Sequence, residues 1–214
     1  QPVPDATTGL PFTLAPTLLA TTLLFDRGPL HYGSAVAGYT ALPACSAPSR
    51  HYFSGRSDNF NPATTSADAR DARLDPEGLR DSANGRFVYL SDEYGPYLYR
   101  FDRHTGARLD VIKLPANLAV AHKAATGAAE IAGNTSGRVA NKGMEGLAIS
   151  PDGNTLFGFV QSPLIEDGGD GGRANRIVTI DLATGETHQY CHDNFLDDTA
   201  KAYNSSEILA LNSH

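Results

Sequence analysis

Between residues 75 and 193, apolar and polar positions fall into short runs. These are cut by Asn-Gly, Asp-Gly and Thr-Gly pairs. Runs of this length, bounded by turn residues, predict strands rather than helices. The pattern places strands at 86–91, 97–102 and 107–114, and again at 155–160, 176–181 and 186–191. A short alternating strand precedes each set, beginning at Glu77 and at Glu145. Asn84-Gly85 and Asp152-Gly153 predict tight turns, because glycine accepts positive φ without steric cost. The apolar runs 86–91 and 155–160 suit strands buried on both faces.

The two sets are copies of one unit. A shift of 68 positions carries Glu77-Gly-Leu79 onto Glu145-Gly-Leu147, Gly85 onto Gly153 and Glu93 onto Gln161. An insertion, Ile165 to Asn175, then interrupts the second copy. Beyond it, Leu98 to Gly106 aligns with Ile177 to Gly185, including the turn Asp-x-x-Thr-Gly. A third start, Ser206-Glu207-Ile208-Leu209, stands near the end of the chain.

Four antiparallel strands repeated in this way describe a β-propeller blade, so an all-β fold is expected. A β-sandwich is the competing all-β architecture, but sandwiches do not normally repeat their sequence. Propellers close with about 4–8 blades. The chain is therefore expected to be one portion, 1–214, of an incomplete propeller. The remaining blades would come from the same precursor or from other subunits. An Ala-rich insertion at about 115–142 separates the copies and is expected to carry one short helix near 118–125. Segments 57–71 and 166–173 read as long loops.

The composition removes several function classes. Seventeen Lys and Arg against 24 Asp and Glu give a formal charge of −7, which argues against a nucleic-acid partner. The longest mostly apolar run, Leu14 to Phe25, is broken by Pro16 and threonines and is too short to cross a bilayer. The two cysteines, Cys45 and Cys191, form no zinc-type cluster. They read either as a disulfide, or as two buried thiols or partners of cysteines outside the chain. Sequons at Asn134 and Asn204 fit a secreted glycoprotein. No Gly-x-Ser-x-Gly nucleophile motif occurs.

The chemistry that remains is carboxylate chemistry. The repeat sets Glu77, Glu145 and Glu207 at one position of successive blades. Asp92 and Glu93, with Gln161 in the second copy, end the following strand. First strands of blades line a propeller's channel, so these acids are expected to ring one mouth. A carboxylate ring is costly unless a cation neutralises it, and oxygen-only ligands suit Ca²⁺ or Mg²⁺. Glu77, Asp92, Glu93, Glu145 and Glu207 are the expected metal ligands, with Glu77, Glu93 and Glu145 as catalytic acids. Arg56, Lys142 and Gln161 are the expected groups for a small anionic ester. The competing reading is structural: each glutamate caps a turn or pairs with a nearby arginine such as Arg73 or Arg80. The loop Glu166 to Gly172 is acidic like a calcium loop, but its spacing is not that of an EF-hand.

Six segments together resemble a known family. They are Gly55 to Phe60, Asp75-Pro-Glu-Gly-Leu79, Ser91 to Tyr97, Phe101-Asp-Arg103, Gly143 to Gly153 and Gln161 to Leu164. The chain is similar from about Leu10 to His214 to the phytase-like secreted proteins, also described as "esterase-like activity of phytase" proteins. The resemblance implies a β-propeller, an extracellular or periplasmic location, and hydrolysis of phosphate or carboxylate esters. It also implies an internal portion of a longer member. Three functions follow as expectations: a Ca²⁺-assisted phosphoesterase, a non-catalytic binding propeller, and a carboxylic-ester or lactone hydrolase.

Overall fold

A computed structural model describes residues 7, 15–30, 47–53, 65–95, 97–120, 122–124, 126–196 and 201–213. The fold is all-β. Its two short opening strands, β1 (Phe25–Asp26) and β2 (His51–Tyr52), pair antiparallel. The first blade is a four-stranded antiparallel meander of β3 (Pro76–Asp81), β4 (Phe87–Asp92), β5 (Tyr97–Asp102) and β6 (Arg108–Ile112). The second repeats it as β7 (Met144–Ile149), β8 (Thr155–Val160), β9 (Ala174–Asp181) and β10 (Thr187–Asp193).

The turns that define the repeat are built by the same atoms in each copy. Gly85 and Gly153 take φ of 65° and 76° after Asn84 and Asp152. In the second turn type, Asp102 Oδ1 accepts from Thr105 N at 2.8 Å and Thr105 Oγ1 at 2.9 Å. Asp181 Oδ1 does the same for Thr184, at 2.7 and 2.9 Å. These carboxylates satisfy turn donors locally, and glycine at positive φ then closes the hairpin.

Strand alternation sorts the core. Tyr89 and Leu98 face the second sheet, with Met144, Leu147, Leu156 and Val178. Their neighbours Leu90 and Tyr99, with Phe101, face the other way and pack with Leu74. The first blade is thus buried on both faces. The blades meet closely at their first strands, where a Cβ on Gly78 would lie 2.5 Å from Leu147 Cβ. Glycine is required there by close approach, not by its backbone angles.

The insertion between the blades holds a 3-10 turn, Ala116–Leu118, and α1 (Gly127–Gly133). The helix therefore falls after the expected 118–125. Leu118 and Val120 are fully buried, while Thr126 accepts from Ala129 N at 3.3 Å and starts the helix there. The second insertion, around 165–172, docks on the first: Ile165 N donates to Gly137 O at 2.9 Å, and Gly137 N to Glu166 Oε2 at 2.8 Å.

Residues 201–213 form no strand, yet they continue the blade geometry. Within the two blades Glu93 N donates to Asp75 O at 3.0 Å and Gln161 N to Gly143 O at 2.8 Å, and Ser205 N in turn donates to Gln161 O at 2.9 Å, joining the segment to the second blade. A Cβ on Gly146 would meet the Glu207 carbonyl carbon at 3.2 Å. The segment thus lies along β7 in the place of a third first strand.

Candidate functional site

Two β-bulges build the site. In β3 the register shifts between Pro76 and Leu79, and in β7 between Met144 and Gly146. A bulge leaves a residue outside the ladder and re-aims its side chain. The bulges fall at Glu77 and Glu145, so the repeated glutamates leave the alternation of their strands. Glu93 follows β4 and is held by its amide on Asp75 O. Carboxylate oxygens of Asp75, Glu77 and Glu93 all lie within 4.8 Å of one another. Asp75 is part-buried, Glu77 exposed and Glu93 buried.

Proton affinities record the crowding. Burial, and then the charges of Glu145, Asp75 and Glu77, push the Glu93 carboxyl up to about 8. Burial and the charges of Glu145 and Asp75 raise Glu77. Burial raises Glu145; Lys142 and a hydrogen bond from Gln161 only partly offset this, while Asp75 adds to it. Four carboxylates are therefore coupled, and among the described residues no cationic side chain neutralises them fully.

The other expected site residues fall in different places. Glu207 is outside the group: Arg80 Nη2 donates to its Oε1 at 2.7 Å. Burial would raise it, but the Arg80 and Ile208 hydrogen bonds and the arginine charge leave it lowered. For this glutamate the geometry is that of the arginine pair. Asp92 is buried behind the group rather than in it. Its Oδ1 accepts from Asp75 N at 2.9 Å and Tyr94 N at 3.3 Å, and its Oδ2 from Tyr99 Oη at 3.3 Å. Burial pushes it up to about 7 against those bonds and the Arg73 and Arg138 charges. Gln161 touches Glu145, and its Oε1 is buried without a hydrogen-bond partner among the described residues. Lys142 Nζ stands 3.6 Å from Asp170 Oδ1. The acidic loop is spent on ion pairs, since Asp167 Oδ2 accepts from Arg176 Nη2 at 2.5 Å. Arg56 and Cys45 lie outside the described residues, so neither the anion contact nor the disulfide can be placed. Cys191 is exposed on the edge strand β10. Asn204 is exposed, whereas Asn134 caps α1 and gives its Nδ2 to Arg138 O at 3.3 Å.

Asp75 is the site residue that sequence reasoning missed. The repeat shift carries it onto Gly143, so it forms no in-register series. Its signal is the Asp75-Pro-Glu-Gly78 run that leads into β3.

A family model described as "Phytase-like: Esterase-like activity of phytase" matches residues 21–214. The chain belongs to the phytase-like family. The phytase-like chain is 36% identical, over 143 residues, to a protein of Arthroderma benhamiae named "Uncharacterized secreted protein". That match takes in 59% of this chain and 27% of the relative, so the chain spans about a quarter of its length. Among solved structures, hydrazine synthase of Kuenenia stuttgartiensis is similar with a TM-score of 0.27 and 14% identity. That likeness covers 58% of this chain and 39% of the other. Among the described residues no helix is long and apolar enough to cross a membrane.

The raised carboxyls make stability depend on pH, with a definite sign. A carboxyl whose folded value lies above its unfolded value keeps its proton longer in the native state. Stability then falls as pH rises between the two values. For Glu93 that window runs from 4.5 to about 8, and for Asp92 from 3.8 to about 7. The metal-free protein should melt several degrees lower at pH 8 than at pH 5, measured by scanning calorimetry in the presence of a chelator. A melting temperature that rises across this interval would contradict the clustering.

Proposed function

We propose that this secreted phytase-like chain binds Ca²⁺ at Asp75, Glu77 and Glu93 and hydrolyses phosphate esters there. The observation that carries the reading is the acid trio itself. Its oxygens lie within 4.8 Å of one another, and Glu93 retains a proton up to about 8. A hard divalent cation taking oxygen ligands is the species that such a trio fits. Bound Ca²⁺ supplies charge neutralisation and Lewis-acid polarisation of a phosphoryl oxygen.

The chain's own groups divide the remaining work. Glu145 lies beside the trio, hydrogen-bonded by Gln161, and is the carboxylate free to take a proton from an attacking water. Lys142 lies close enough to lower the Glu145 proton affinity, and its ammonium, also paired with Asp170, is the cation assigned to a phosphate oxygen. Membership of the family and the name of the Arthroderma benhamiae relative support secretion and a hydrolytic role.

The test is calcium titration by calorimetry, followed by hydrolysis of 4-nitrophenyl phosphate with and without a chelator. Uptake of Ca²⁺ should strengthen as pH rises through about 8, because protons must leave before the metal binds. Chelation should lower the rate by roughly two orders of magnitude. Chelator-insensitive turnover would remove the metal from the reaction. Ca²⁺ uptake without phosphoester turnover would leave a binding propeller, and cleavage of 4-nitrophenyl acetate alone would make it a carboxylic-ester hydrolase.

A further inference from the structure

The described residues of the insertion between the blades form no strand, yet they carry buried ions. Arg138 is fully buried at 0% exposure and Glu130 at 2%. Arg138 donates from Nε and Nη2 to the carbonyl of Tyr94, and from Nη2 to Glu130 Oε1 at 3.1 Å. The same turn is held on other sides. Asp92 receives Tyr94 N, and the Arg73 guanidinium lies 5.3 Å from the Tyr94 ring centre. Gly143, the last residue before β7, packs against the Glu93 carbonyl.

Stability alone gives little reason for this arrangement. Desolvating a guanidinium is costly, and a buried ion pair is often no more stabilising than apolar side chains of the same volume. What an apolar side chain cannot do is grip a carbonyl with two N–H groups. The carbonyl that is gripped belongs to the residue next to Glu93. We propose that Arg138, held by Glu130, is a positioning residue for the acid site: it fixes the Glu93–Tyr94 turn so that Glu93 stands beside Asp75. The insertion is then a part of the site's machinery supplied from outside both blades. The metal readout of this proposal rests on the calcium reading above, while the exchange readout does not.

The test compares wild type with Arg138→Met and Arg138→Lys by amide hydrogen exchange and by titration with Ca²⁺ alone. In folded Arg138→Met, exchange at the Glu93 and Tyr94 amides should accelerate roughly tenfold or more, since a charge-assisted bond is lost. The amides of Leu156 and Ile180, in the other sheet, should be unchanged. Calcium affinity should weaken by roughly 10- to 100-fold, the usual effect of removing an outer-shell partner. Arg138→Lys, which keeps the charge but loses the fork, should fall between the two. Unchanged exchange at 93–94 in a folded Arg138→Met overturns the proposal whatever the metal does. Should Arg138→Met fail to fold, Arg138→Lys decides: local acceleration at 93–94 supports the proposal, and none or a uniform acceleration overturns it. A wild type that takes up no Ca²⁺ refutes the calcium reading and leaves Arg138 to be judged by exchange.

Discussion

Gly143→Ala should cost about 3 kcal/mol of folding stability and lower the melting temperature by roughly 10 °C. A Cβ at this position would lie 2.0 Å from Glu93 O, 2.7 Å from its carbonyl carbon and 2.9 Å from its Cα. All three atoms are backbone, so no side-chain rotation relieves the clash. The turn itself must move, and Gln161 N, which donates to Gly143 O at 2.8 Å, moves with it. The substitution therefore strikes both halves of the acid site, and calcium uptake should weaken together with stability. Gly171→Ala is the matched control. A Cβ there meets nothing within 4 Å, so stability and uptake should match wild type. Denaturant unfolding of both variants checks the pair. Equal stability would mean that the blades do not pack at Gly143 as described.

Much of the blade architecture can be read from residue order, because its signals are local. Asn84-Gly85, Asp152-Gly153 and the two Asp-x-x-Thr-Gly turns carry their own capping oxygens and their own glycines. The strands between them follow. The first strands were also legible as a repeat, but their bulges were not. A bulge depends on which residue the neighbouring strand leaves unpaired, and that is decided across the sheet. Asp75 was hidden for a related reason: it joins Glu77 and Glu93 through the fold, while its counterpart in the second copy is a glycine. Glu207 shows the opposite case. It keeps the repeat, but Arg80 reaches it once the C-terminal segment lies along β7, and a local pattern cannot foretell that pairing. The helix displaced to Gly127–Gly133 follows from burial of Leu118 and Val120. These two side chains hold the preceding segment against the core, and Thr126 is the first residue free to cap.

Glu93→Gln should separate function from stability more sharply than any other change. Glu93 is the most perturbed carboxyl of the four, pushed to about 8 by burial and by Glu145, Asp75 and Glu77. Without metal, ionising it places a buried charge beside three others. An amide of the same shape removes that charge, so the variant should be more stable than wild type at pH 8 in chelator. It should also lose much of the fall in stability between pH 5 and pH 8; the part that remains belongs to Asp92, Glu77 and Glu145, whose values are raised as well. With calcium the order should reverse. On the calcium reading proposed above, wild type should gain stability by binding, whereas the variant has lost one of three clustered carboxylates, and its affinity should drop by roughly 100-fold or more. Phosphoester hydrolysis should fall with it. A residue that weakens the fold while enabling binding is the signature of a site under functional constraint. Paired melting curves at pH 8, with chelator and with calcium, read both effects in one experiment. A variant that is less stable than wild type in chelator yet still binds calcium would make Glu93 a structural acid, and the trio would have to be redrawn around Glu145.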